Sequence, residues 1–180
     1  MKAGMAARLP ALLALLAMLV ACGEPDWQHR HGPVTEAEAQ RALEWALTQL
    51  GAPYRWGGRE PPAFDSSGII TWSYRQALGG LQLRYENQVV SDLPHRHIYR
   101  WNFQPLPLEE LVPGDLVYLT DGTAEVTHGA LFVRWVEPYT RMEFLDASTR
   151  LGRVVIQEWP VHAEVRGQRL VAAGRLKVVR

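Results

Sequence analysis

Two stretches of the chain hold side chains whose type and spacing could do chemistry. Phe64-Asp65-Ser66-Ser67-Gly68 precedes an apolar pattern of Ile69, Ile70, Tyr74, Ala77 and Leu78 that recurs at helical spacing and stops at Gly79-Gly80. Its hydroxyls therefore fall at a helix start, where Asp65 is expected to cap free backbone amides. His95 and His97 stand two apart beside Pro94 and Arg96, a spacing that could hold a metal if a carboxylate joined them. The sequence suggests no third ligand. Both are expected as solvated loop histidines, and neither a metal nor another cofactor is expected.

Thiol chemistry has a single candidate, Cys22, and its context removes it. Lys2 and Arg8 precede an apolar run from Leu9 to Val20 that ends in small residues, the layout of a secretory signal, and the run is too short to span a bilayer comfortably. Leu19-Val20-Ala21-Cys22 resembles the lipobox of bacterial lipoproteins, which implies cleavage before Cys22 and its acylation. A lipidated Cys22 has no free thiol, and one cysteine cannot form an internal disulfide. Gly23, where some lipoproteins carry Asp, resembles lipoproteins sent on to the outer membrane. The expected place is the periplasmic side of the envelope, lipid-anchored.

Composition narrows the function classes. Of 180 residues 47% are apolar, and 19 basic side chains balance 19 acidic ones, which favours one globular domain over disorder or a fibre. Loss of residues 1–21 would remove Lys2 and Arg8, leaving 17 basic against 19 acidic side chains, a charge of −2. That is no electrostatic footprint for nucleic acid, and none is expected as a partner.

The elements that must position a site follow from periodicity. Residues 1–21 read as signal, 22–33 as a tether, and 34–180 as the folded domain. Thr35 and Glu38 have capping-box spacing, and Leu43, Ala46, Leu47 and Leu50 predict a helix that stops at Gly51. Pro53 to Pro62 reads as a loop, the second helix begins near Ser66, and Gly80 to Gln104 reads as irregular or weakly helical. Beyond Pro113, strands are expected over Asp115–Leu119, His128–Val136, Met142–Asp146, Val154–Glu158 and Leu170–Val178. Helices followed by strands predict an α+β fold in which N-terminal helices pack on one face of an antiparallel sheet of five or six strands.

Four blocks together carry a resemblance. Leu50-Gly51-Ala52-Pro53-Tyr54-Arg55-Trp56-Gly57-Gly58, Phe64 to Ile70, Leu111-Val112-Pro113-Gly114-Asp115-Leu116-Val117, and Thr127-His128-Gly129-Ala130-Leu131 resemble the NlpC family of papain-like cell-wall peptidases. The resemblance spans Ala42 to about Trp159. It implies a small α+β hydrolase fold whose members cut peptidoglycan stem peptides, commonly next to a γ-D-glutamyl residue. It also implies that His128 is the catalytic histidine, that Asp146 holds the third polar position, and that Tyr54 helps to stabilise the oxyanion. Asp146 could equally be a strand-end residue accepting backbone hydrogen bonds, and Tyr54 an aromatic packed under the Gly57-Gly58 loop.

One departure governs the rest: where the family carries its nucleophilic cysteine, this chain has Ser66. A helix N-terminus and an imidazole lower a thiol pKa from about 8.5 enough to supply thiolate at neutral pH, but a hydroxyl gains too little from them. Serine can attack if a histidine takes its proton and a third group orients that histidine, and Ser66, His128 and Asp146 could form such a set. Three functions stay open: hydrolysis of a peptidoglycan amide through Ser66, a catalytically silent relative that binds stem peptide or a partner cell-wall enzyme, and a structural envelope lipoprotein. Trp56, Trp72 and Trp101 could line a groove, although tryptophans in a domain of this size are more often core and rim.

Overall fold

A computed structural model of the chain describes residues 30–123 and 125–180. The signal, Cys22 and most of the tether lie outside the described residues. Within them, helix α1 spans Glu36–Leu47, α2 spans Ser66–Leu78 and α3 spans His95–Trp101. Strands β1 (His31–Pro33), β6 (Phe103–Pro105), β7 (Leu116–Thr120), β8 (His128–Glu137), β9 (Arg141–Ser148), β10 (Arg153–Pro160) and β11 (Arg169–Val179) form one seven-stranded sheet. Its pairings are all antiparallel and its path runs β1-β11-β7-β8-β9-β10, with β6 also on β11. The α+β arrangement and the five strands expected beyond Pro113 are present.

Three expectations give way. His31-Gly32-Pro33 pairs with Val179-Val178-Lys177, so the folded part begins inside the stretch read as tether. A hairpin of two-residue strands, β2 (Arg59–Glu60) with β3 (Ala63–Phe64), precedes α2, and the segment read as irregular or weakly helical folds into a second hairpin, β4 (Leu83–Tyr85) with β5 (Gln88–Val90), then α3 and β6. Strands of three residues carry too few side chains to show a period of two. The sheet therefore has seven strands where five or six were expected.

Helix α1 starts on the capping box that its sequence announces: the Thr35 amide donates to Glu38 Oε2 at 2.7 Å and the Glu38 amide to Thr35 Oγ1 at 3.3 Å. It ends at Leu47, with Thr48 as its cap, and Leu50 is exposed. The last apolar residue of the pattern thus lies in a turn. Ala39, Ala42, Leu43 and Ala46 are buried, and this narrow face lets α1 pack closely on α2.

The pleat distributes the core. Leu116, Tyr118, Leu131, Leu145 and Ala147 face the helices with Ile69, Ile70 and Tyr74. The alternate residues Val117, Leu119, Ala130, Phe132, Phe144 and Trp159 form a second core with Leu111 and Val161. Both faces are covered, whereas one was expected. Helix α2 crosses β8 and β9 with Ser67 to Tyr74 buried, which fixes its N-terminus over the start of β8.

Candidate active site

The site begins with the carboxylate that starts α2. Asp65 Oδ1 accepts from the Gly68 amide at 2.7 Å, the Ser67 hydroxyl at 2.9 Å and the Arg59 guanidinium at 2.9 Å. Its Oδ2 accepts from the Gly57 amide at 3.0 Å. Asp65 is therefore the expected cap, and it also ties the Tyr54–Gly58 loop to the helix. Gly68 allows that approach: a Cβ there would overlap the Gly58 carbonyl.

Ser66, the first residue of α2, points its hydroxyl at an unexpected partner. His95 Nε2 lies 2.8 Å from Ser66 Oγ. His95 is 8% exposed, on the inner face of α3 with Ile98 and Asn102, so it is no solvated loop residue. The spacing of 95, 98 and 102 was the signal in the sequence, hidden by the short helix and its polar composition. Arg59 delivers this segment to α2: its Nε pairs with Asp92 Oδ2 at 3.0 Å, and Thr71 Oγ1 donates to Asp92 Oδ1 at 2.9 Å.

Beneath the His95 ring is the backbone of β8. A Cβ on Gly129 would come within 2.6 Å of both Cε1 and Nδ1 of His95, and Tyr118 meets the ring edge-on at 5.9 Å. Only glycine leaves room there for the imidazole. His97, two residues on, is half-buried against Tyr85 and accepts from Arg96 Nε at 3.2 Å. Among the described residues no group of three metal-ligating side chains gathers.

His128 faces away from Gly129 and forms the other half of the site. Its Nε2 lies 2.9 Å from Asp146 Oδ2, and Gln157 Nε2 donates to Asp146 Oδ1 at 2.8 Å. Asp146 is 1% exposed, and its two oxygens are occupied by these two partners. The expected pairing of His128 with Asp146 is present. The expected hydrogen bond from Ser66 to His128 is absent: the Ser66 oxygen meets His95, and His128 turns its Nε2 to Asp146. The two imidazoles sit 6.1 Å apart, centre to centre.

Burial, followed by the nearby charges of His128 and Arg59, pushes His95 well below the ordinary imidazole range, so it is neutral at pH 7. Its Nδ1 is buried without a partner. If that nitrogen carried the proton, a buried N–H would go unsatisfied; with the proton on Nε2, only a lone pair does, and that is the smaller penalty. His95 therefore donates to Ser66 Oγ. A proton taken from Ser66 would create an imidazolium with no carboxylate beside it, the opposite of a triad's arrangement.

A cleft of about 360 Å³ opens over Ser66, lined by Tyr54, Trp56, Arg59, His95, Arg96 and the segment at Val126-Thr127. Tyr54, expected from the resemblance as an oxyanion donor, lines this cleft, and burial plus the Asp65 charge raises its pKa and keeps its O–H protonated. Of the three tryptophans, Trp56 is 87% exposed on the cleft rim. Trp72 is buried against Phe64 and Trp45, and Trp101 lies against the guanidinium groups of Arg84 and Arg100.

Residues 51–174 match the NlpC/P60 family. A probable endopeptidase of Mycobacterium tuberculosis is 34% identical over 91 residues, covering 51% of this chain and 20% of that protein. The murein DD-endopeptidase MepH of Escherichia coli is 31% identical over 104 residues, 54% of this chain and 35% of its own. The chain thus spans a fifth of the first of these relatives and about a third of the second. Among solved structures, NlpC1 from Trichomonas vaginalis superposes with a TM-score of 0.58 at 20% identity, over 86% of this chain and 49% of that one. A lipoprotein-like NLP/P60 protein of Staphylococcus aureus gives 0.53 at 22% identity, over 93% and 48%. At these identities the likeness speaks to the fold, which is the papain-like α+β fold expected. With the family match running from Gly51 to Gly174, and Ser66 as its departure at the nucleophile position, this chain belongs to the NlpC/P60 family.

Proposed function

We propose that the chain is an envelope lipoprotein, anchored at Cys22 on the periplasmic side of the outer membrane, whose NlpC/P60 domain holds peptidoglycan stem peptides in the Ser66 cleft without hydrolysing them. Stem peptide is the substrate class that the family and the murein endopeptidase relative suggest. The observation that carries the silent reading is the division of the machinery. Ser66 is occupied by His95, which is neutral and lacks a carboxylate, while the carboxylate-backed His128 makes no hydrogen bond to Ser66. Several acyl chains on Cys22 would fix the domain at the bilayer where one would bind only marginally.

The 2.8 Å contact between an alcohol and an imidazole favours one rival, slow hydrolysis through Ser66. Defined muropeptides incubated with wild type, Ser66→Cys and Ser66→Ala separate the two. The silent reading expects all three to bind and only Ser66→Cys to cleave, since a thiol needs far less help than a hydroxyl to ionise. Cleavage by wild type that Ser66→Ala abolishes would establish the rival. Absence of binding by all three would leave a structural lipoprotein.

A further inference from the structure

His128 and Asp146 line a second cavity, of about 530 Å³, which extends over the sheet face away from the helices. Its apolar floor is Phe144 and Trp159, whose rings sit 5.6 Å apart. Above that floor the lining is polar and carries both signs of charge, the guanidinium groups of Arg150 and Arg166 and the carboxylates of Asp121 and Asp146. Arg150 donates to the neutral Gln157 at 3.3 Å, and neither arginine forms an ion pair among the described residues. Neither carboxylate is paired with them: Asp146 is held by His128 and Gln157, and Asp121 accepts from the Thr123 amide.

A third observation points the same way. Trp159 is 4% exposed and its indole Nε1–H is buried with no acceptor, one of three such side-chain atoms among the described residues. A buried donor without a partner costs free energy that an incoming acceptor would recover. Two unpaired guanidinium groups and an unsatisfied N–H ask for an anionic acceptor, and the aromatic floor asks for a small apolar group beside it.

We infer that this cavity takes the free carboxylate end of a peptide. A carboxylate between Arg150 and Arg166 also accepts from the Trp159 indole N–H, and the side chain next to it lies on the floor of Phe144 and Trp159. Peptidoglycan stem peptide as its source rests on the function proposed above; the carboxylate chemistry does not.

The test compares a synthetic stem pentapeptide with its C-terminal amide, by calorimetry on the full chain. Wild type is expected to bind the free acid about tenfold more tightly than the amide, as for a charge-assisted pair. The double variant Arg150→Gln, Arg166→Gln should lose that preference and keep the amide affinity. Trp159→Phe, which keeps the floor and deletes the N–H, should weaken the acid alone. Equal affinity for acid and amide in wild type, or a preference that survives the double variant, would overturn the inference. If neither peptide binds, the stem-peptide function fails and N-acetyl-D-alanine takes over as the probe. A shift of the Trp159 indole N–H resonance that the double variant abolishes then upholds the cavity as a carboxylate site, and no shift refutes it.

Discussion

His95 and Ser66 face each other across the mouth of α2, with Nε2 2.8 Å from Oγ, and Gly129 forms the seat on which the imidazole rests. The seat makes the first prediction. In Gly129→Ala the new methyl group would stand 2.6 Å from Cε1 and Nδ1, so the ring must leave. Overpacking of this kind costs about 1–3 kcal/mol. The imidazole resonances of His95 should shift and lose their dependence on Ser66→Ala. Unchanged resonances would mean that the ring has another support.

Much of this was legible beforehand, for reasons that lie in particular residues. Asp65, Gly68 and the following apolar run announced α2 because a cap, a stop and a full helical period all agree there. The long strands β7 to β11 were readable because each has five or more residues with alternating or β-branched side chains. Pairing of His128 with Asp146 followed from the family's block order. The partner of Ser66 was not legible: α3 has seven residues, Pro94 gives it no side-chain cap, and a buried polar histidine looks in sequence like a solvated one. Its seat on Gly129 is a contact across 34 positions, and no local pattern encodes such a contact.

Acid should act on the fold through His95. Its pKa when folded is depressed below the ordinary 6.5, so the unfolded chain binds the proton that the folded chain refuses. Stability attributable to it is present above pH 6.5 and falls as pH drops below that value, by up to about 1.4 kcal/mol per unit for one such group. Replacing it by Gln keeps a donor toward Ser66 and deletes the titration. Urea unfolding from pH 7.5 to 5 should show a shallower loss in His95→Gln than in wild type. Some slope should survive, since burial and Lys177 also lower His31. Parallel profiles would show that His95 is open to protons.

A buried ion pair sits beneath α1, away from the cleft. Asp115 is fully buried, and Arg175 meets it with two donors, at 2.9 and 3.0 Å. Arg175→Met strands that carboxylate and should cost about 3–5 kcal/mol, because an unpaired buried charge is penalised more than the intact pair is rewarded. Adding Asp115→Asn should recover part of the loss, as the Val112 amide still has an acceptor. Chemical denaturation of the single and double variants checks this. A double variant no better than the single would place the cost in packing.

Asp65 joins fold to function most directly, since one carboxylate accepts from the Gly68 amide, the Ser67 hydroxyl, Arg59 and the Gly57 amide. Asp65→Ala removes a cap worth about 1 kcal/mol and leaves Arg59 with Asp92 as its remaining ion-pair partner. The loss should reach about 2–3 kcal/mol with the charge-assisted bonds included. Its local effect should exceed its global one. The Gly57 amide loses its acceptor, so the loop that carries Trp56 at the cleft rim comes free of the helix. Hydrogen exchange at Gly57 should then accelerate more than exchange in the strands, and muropeptide affinity should fall with it. Uniform acceleration across the chain would show that Asp65 serves α2 alone. The rim would then owe its position to Gly58 and Gly68, whose backbones pack together whatever stands at the cap.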